Sequence, residues 1–574
     1  MLFRNRSKYV LAGLLSLTLA GPACVTGDDE DPVVEDTDAG DDAGDSGDPD
    51  ATPNPDEMTE LGGNITEDQT WSGDILVVDD VSIRNGAEIT IEAGTTFYVQ
   101  ADVQFEFGWN GNDYAVFAEG TEEAPIVFRG ETAEAGFWRG IIFRGDGATN
   151  SRLEHVEIHH AGGEQPALVQ NAGFTLSNVT VNESGDVGVE AYSFRSGSEG
   201  LTVTGSAEEA VVLTNESALA NFPYGGEISD NTDNVIVLDF SNITTEVNVQ
   251  DPGVSFVVAE GLSGRDGGAF NVSEGVEFLV DVDQLIEFGW NGNTFSFDLQ
   301  GSAESPIVFD AIDPTPGSWR GIIVRGDVLS SSNINHVQVR YAGTNTEAAV
   351  EVRSGIRIQN LSVEESFHTG FALREGLRTG SENISILNTQ GRAAVIGFQT
   401  IGTMPTGTIE GNEDDFIDVE GNLSIDATIR PLGAPYRVID DISTRDAAEV
   451  VIEPGTVFYF APDQSLEFGW NGNGGTVTAV GTVDAPIIFT SELEEAGAWE
   501  GVWINGSMTS NSTIAYAEFS YATTALTLRN SINVENNTFS SYSVTAIEAA
   551  EAADVADLLA NNTFDGSGAD DVID

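Results

Sequence analysis

The stretch Asp102-Val103-Gln104-Phe105-Glu106-Phe107-Gly108-Trp109-Asn110-Gly111-Asn112 is written three times in this chain. It returns as Asp283-Gln284-Leu285-Ile286-Glu287-Phe288-Gly289-Trp290-Asn291-Gly292-Asn293 and as Asp463-Gln464-Ser465-Leu466-Glu467-Phe468-Gly469-Trp470-Asn471-Gly472-Asn473. Its tryptophans, Trp109, Trp290 and Trp470, are evenly spaced to within one position. A long fixed period marks tandem copies of one structural unit. The three units run over 61–232, 233–412 and 413–574.

The landmarks downstream keep step. Pro125, Pro306 and Pro486 follow their tryptophans at one identical offset, and Trp138, Trp319 and Trp499 follow the prolines at another. No insertion separates them, which predicts a rigid block. Beyond the block a shorter step appears. Leu153-Glu154-His155-Val156 leads to Leu176-Ser177-Asn178-Val179. His336-Val337-Gln338-Val339 leads to Asn360-Leu361-Ser362-Val363 and to Asn383-Ile384-Ser385-Ile386. Such a step suits one winding of a parallel β-helix, in which short strands and tight turns alternate and inward apolar side chains fill the lumen. The short runs rich in β-branched and aromatic residues agree with an all-β body. Only the Ala-rich 546–560 stretch carries a helical look.

On these residues the chain resembles right-handed parallel β-helix proteins of the pectin-lyase-like class. More narrowly it resembles bacterial surface proteins with a T-I-E-P-G-T run, an A-P-I-V-F run and a W-x-G-I run. Here these read Thr90-Ile91-Glu92-Ala93-Gly94-Thr95, Ala124-Pro125-Ile126-Val127-Phe128 and Trp138-Arg139-Gly140-Ile141. The resemblance implies a right-handed parallel β-helix, a solenoid, built from three repeats of about 180 residues. It carries less about function, because one fold hosts many activities.

Charge and the N-terminal region bound the rest. A formal net charge of −72 with Lys8 as the only lysine leaves no basic surface for nucleic acid. Arg4, Arg6 and Lys8 precede an apolar run from Tyr9 to Ala20, which reads as a secretory signal too short to span a membrane, over 1–23. Cys24, the single cysteine, follows at once and resembles the acylated cysteine of bacterial lipoproteins. Residues 24–60 are rich in Asp, Gly, Thr and Pro and read as an acidic disordered tether. The expected protein is exported and lipid-anchored in the bacterial envelope, at the outer membrane or cell surface.

Candidate chemistry gathers on the thrice-written stretch. Asn-Gly is a tight-turn signal, so a purely structural turn whose tryptophan packs on a neighbouring winding is one reading. The other is a carbohydrate platform: Trp109, Trp290 and Trp470 present an aromatic face, while Glu106, Asn110, Glu287, Asn291, Glu467 and Asn471 bond sugar hydroxyls. Stacked windings would then set three matching stations on the flank for multivalent capture of a polymer. The carboxylate pairs Asp102/Glu106, Asp283/Glu287 and Asp463/Glu467 sit four positions apart, roughly 13 Å along a strand, too far for a glycosidase pair. A shared Ca²⁺ site is favoured over catalysis for them. Arg139 and Arg320 are read as salt-bridge partners rather than bases. No catalytic set of the pectate-lyase or polygalacturonase kind matches residue by residue. The expected function is surface binding or display, with carbohydrate as the ligand class. A polysaccharide lyase or glycoside hydrolase is the alternative, and a structural surface spacer the second.

Overall fold

The computed structural model describes residues 58–573, apart from 110–111, 146–150, 506, 550–553 and 569. The signal segment, Cys24 and nearly all of the acidic tether lie outside the described residues. Thr59–Ile65 is already a strand. The body is a parallel β-helix: short strands pair in parallel with strands one winding earlier and one later. Each winding has three faces. Glu88–Ile91, Thr96–Val99 and Gln104–Phe107 form one winding, and Ala115–Glu119, Ile126–Gly130 and Gly140–Phe143 form the next. Their registers are Ile89 to Val116, Phe97 to Phe128 and Phe105 to Ile141. Within the rigid block the winding is long, carrying the chain from Phe105 to Ile141. Past it the winding shortens by about a third, as between Leu153 and Leu176. Two turns, the Gly-Trp-Asn-Gly turn and the one before Trp138, account for the extra length.

Strand alternation sends every second side chain into the lumen, where like residues overlie one another. Tyr436, Phe458, Phe489, Phe519, Phe539 and Phe564 form one column of rings with centroids 4.8–5.5 Å apart. That spacing is close to the strand-to-strand distance of a sheet, so the backbone ladder itself sets the stacking. Trp138, Trp319 and Trp499 are fully buried. Each donates its indole N–H to a carbonyl of the next winding: His159 at 2.9 Å, Arg340 at 2.8 Å and Ser520 at 2.9 Å.

The corners explain the histidines and asparagines. His155, Asn178, His336, Asn360, Asn383 and Tyr516 all take left-handed backbone angles, φ between 48° and 53°. Asn tolerates this region because its short side chain bonds locally. The Asn383 amide donates to Asn360 Oδ1 at 2.9 Å, a rung of a side-chain ladder. The Ala-rich end divides differently from its expected helical look: Thr545–Glu548 is a strand and the helix is Val555–Asn561, opened by Asp554, whose carboxylate accepts from Ala556 and Asp557 N–H. Ala546 completes a ladder and faces the core, which outweighs its helix propensity.

One ladder crosses each repeat boundary, Glu209 to Asp233 and Arg392 to Asp414, with a register shift at each crossing. The ladders also define how the repeats are offset. From Phe105 the pairing runs through Ile141, Leu168, Val189, Val211, Ile236 and Phe256 to Phe278. That is seven windings, and Ile286 lies one face further along the chain. From Ile286 the same count leads through Ile322, Val350, Phe371, Ala394, Ile417 and Tyr436 to Phe458, with Leu466 again one face on. A repeat is therefore seven windings and one face. The thrice-written strands Gln104–Phe107, Leu285–Phe288 and Ser465–Phe468 belong to three separate sheets. This corrects the expected alignment on a common flank: a period that is not a whole number of windings turns each copy to a new face.

Candidate functional site

Each station is a strand end followed by a tight turn. Phe105 and Phe107 point inward and are buried, which leaves Glu106 outward by alternation. The chain then reverses at Gly108, φ 79°, where an added Cβ would meet the Arg144 carbonyl at 2.4 Å. Gly289 and Gly469 repeat this conformation at 84° and 80°. Only glycine takes it without strain. Trp290–Gly292 and Trp470–Gly472 are single 3-10 turns, and the Asn473 side chain closes the third by donating to the Trp470 carbonyl at 2.9 Å. Asn112 does the same for Trp109 at 2.6 Å.

The turn holds its tryptophan outward. Trp109 is 43% exposed and Trp470 40%, while Trp290 is half-buried. The packed-turn reading is therefore incomplete, because Trp109 and Trp470 keep much of one face exposed. The other face lies on an arginine from the preceding winding: Arg84 over Trp109 at 4.2 Å, Arg265 over Trp290 at 4.7 Å and Arg445 over Trp470 at 4.3 Å. Such cation–π contacts are worth about 0.5–1 kcal/mol when exposed. These arginines were not singled out from the sequence. Arg84, Arg265 and Arg445 recur at the same period as the tryptophans, and that period would have found them.

The station carboxylates have partners. Glu106 binds Arg144 Nε at 2.7 Å, and the buried Glu287 binds Arg325. In the third station the equivalent position is Asn505, whose amide donates to Glu467. Burial raises the Glu467 carboxyl above its ordinary range, against the opposing pull of the Asn505 amide, the Asn471 backbone N–H and the Arg445 charge. Asp102, Asp283 and Asp463 are exposed turn residues with φ near 60°. Their backbone N–H groups bond to Phe137, Ser318 and Ala498 carbonyls at 3.2, 2.8 and 3.1 Å. Among the described residues, no three His, Cys, Asp or Glu side chains group to hold a metal ion. The acidic pairs thus gain no third carboxylate or imidazole among these residues. Asn110 lies outside the described residues.

No family model, curated protein or solved structure matches this chain. Its chemistry is read from the stations and from one groove apart from them. On the second repeat, a groove of about 170 Å³ is lined by Glu347, Glu351, His368, Arg374, Arg392 and Glu420, among others. Its carboxylates are all bound to guanidinium groups: Glu347 to Arg320, Glu351 to Arg353 at 2.7 Å, and Glu420 to Arg374. Beside it Arg392 and Arg437 hold the buried Asp418 at 3.2 and 2.7 Å. Arg320, like Arg139 on Asp80 at 2.5 Å, serves as an ion-pair partner. Sequence reasoning missed this network because its members are far apart in the chain and meet only through the windings, as Asp414 meets Arg437 and Arg374 meets Glu420. Among the described residues, no helix is long and apolar enough to cross a membrane.

Proposed function

We propose that this chain is an exported envelope lipoprotein whose β-helix body binds carbohydrate at its aromatic stations. The observation that carries the reading is the recurrence of one geometry in all three repeats: an indole held at the turn, exposed at Trp109 and Trp470 and half-buried at Trp290, with an arginine beneath it and a carboxylate close by in the chain. A flat apolar face edged by hydrogen-bonding groups suits the C–H face and hydroxyls of a sugar ring. The basic n-region, the apolar run and Cys24 support export and acylation, and the likeness to pectin-lyase-like surface proteins supports the envelope setting. The stations face different ways and lie roughly 35 Å apart along the axis, taking ~4.8 Å per winding. A straight polymer cannot lie across all three, so each station engages its own chain or its own ligand. A glycan array probed with the whole mature protein tests this. Binding is expected to fall at least tenfold in the triple Trp109→Ala, Trp290→Ala, Trp470→Ala variant, and undiminished binding rejects the stations. Incorporation of labelled palmitate, lost in Cys24→Ser, tests the anchor.

A polysaccharide lyase or hydrolase is the second reading, favoured only by the groove on the second repeat. Its carboxylates are held as ion pairs, which suits a structural network better than proton transfer. Release of reducing or unsaturated products from a polysaccharide panel, abolished in Glu351→Gln, would favour the enzyme. Silence in both assays would leave a surface spacer.

A further inference from the structure

The three stations are copies of one design, and the third departs from the other two at a few positions on one small surface. One winding beyond the station glutamate, the first and second repeats place Ile142 and Ile323, both buried, in register with Glu106 and Glu287. The third places Trp503 there, in register with Glu467 and 36% exposed. Two positions along, Arg144 and Arg325 give way to Asn505. Beside the buried tryptophan, Arg139 and Arg320 give way to Glu500. The result is a carboxylate with one exposed indole, Trp503, in register beside it and another, Trp470, three residues further along the chain. Glu467 accepts from the Asn505 side chain and from the Asn471 backbone N–H that follows Trp470, and Trp470 itself rests on Arg445. Amides rather than a guanidinium hold it. A carboxylate tied to an arginine has its lone pairs committed along a charged fork, whereas one held by amides keeps acceptor capacity for hydroxyl groups.

We propose that the third station, Trp470, Trp503, Glu467 and Asn505, is the specialised binding site for an uncharged, hydroxyl-rich polysaccharide. Successive sugar rings stack on the two indoles, and the carboxylate and amide beside them bond ring hydroxyls. The uncharged class follows from charge: two arginine positions have been given up here, and a chain of formal net charge −72 repels a polyanion. This rests on the carbohydrate reading of the stations and gives one of them its ligand class.

Affinity electrophoresis of the whole protein tests the proposal, through gels containing soluble β-glucan, xylan or galactomannan, with pectate as the polyanion. At least one neutral polymer is expected to retard the protein, with retardation that persists in moderate salt. Trp503→Ile restores the residue of the other repeats and Asn505→Arg restores their charge. Each is expected to weaken retardation at least tenfold without lowering the melting temperature. Val483→Ser, which removes an apolar side chain that is 83% exposed outside the station, is expected to change nothing. The double variant Ile142→Trp, Arg144→Asn is expected to add neutral-polymer binding at the first station. Neutral-polymer retardation indifferent to both third-station variants, or retardation by pectate alone, overturns the specialisation and leaves the general carbohydrate reading standing. No retardation in any gel overturns both.

Discussion

The guanidinium of Arg84 lies 4.2 Å from the centre of the Trp109 indole, and each repeat rebuilds this contact between windings. The arginine does two things. It satisfies the ring's electron-rich face, and it leaves only the opposite face for a ligand. Replacing Arg445 by Ala should therefore open the second face of Trp470. Acrylamide quenching of tryptophan fluorescence should increase, and the turn should lose about 0.5–1 kcal/mol of local stability. Unchanged quenching would mean that the strand end alone orients the ring.

The two tryptophans of a repeat should behave oppositely. Trp319 is fully buried and donates to the Arg340 carbonyl at 2.8 Å. Trp319→Phe removes the donor and strands that carbonyl, at about 1–3 kcal/mol, and Trp319→Ala adds a cavity for about 3–5 kcal/mol in total. Trp290→Ala, at the rim, should cost much less. Denaturation midpoints of the three variants would separate the roles, and equal losses would refute the division.

Phe519 sits between Phe489 and Phe539 at 4.8 and 4.9 Å. Phe519→Ala should cost about 3–5 kcal/mol. A solenoid communicates only through neighbouring windings, so the damage should stay near the C-terminal end. Hydrogen exchange should speed up from about the Ile487–Ser491 strand onward and remain slow in the first repeat. Uniform loss of protection would indicate a body that unfolds as one unit.

Glu467 provides a pH test. Burial, with the Asp441 charge adding to it, raises its carboxyl in the folded chain despite Asn505, Asn471 and Arg445. The folded state then holds the proton more tightly than the unfolded state does. The associated stability is present below the unfolded carboxylate value and is lost as pH rises through the raised one. Glu467→Gln stays neutral throughout. It should melt at a higher temperature than the parent above that window and show no advantage below it. An advantage of equal size on both sides would contradict burial as the cause.

The turn of the stations around the axis can be measured directly. Spin labels placed pairwise at positions 109, 290 and 470, in a Cys24→Ser background, give three distances. Stations in line would make the 109–470 distance the sum of the other two. Seven windings and one face per repeat predict a clearly shorter value.

The fold was legible because a parallel β-helix writes its geometry into the chain. The step from Leu153 to Leu176 is the winding itself, and the step from Trp109 to Trp290 is the repeat. Asn360 and Asn383 are one winding step apart, and their side chains meet for the same reason. The stations were legible as composition, Glu, Trp and Asn at one turn. Their environment was not. Whether Glu106 is free depends on Arg144, a full winding further along the chain, and whether a ring face is free depends on Arg84.

From the sequence alone came the solenoid, its three copies of one stretch and the Asn-Gly turn in each, because these are set by local periodicity and by alternation along a strand. Only the tertiary structure decided which way each station faces and what lies beneath each tryptophan. Those depend on the phase between a repeat and a winding. One extra face, a short strand and its turn, is too small to notice in a period of about 180. It is enough to turn each copy of the same motif onto a different side of the molecule.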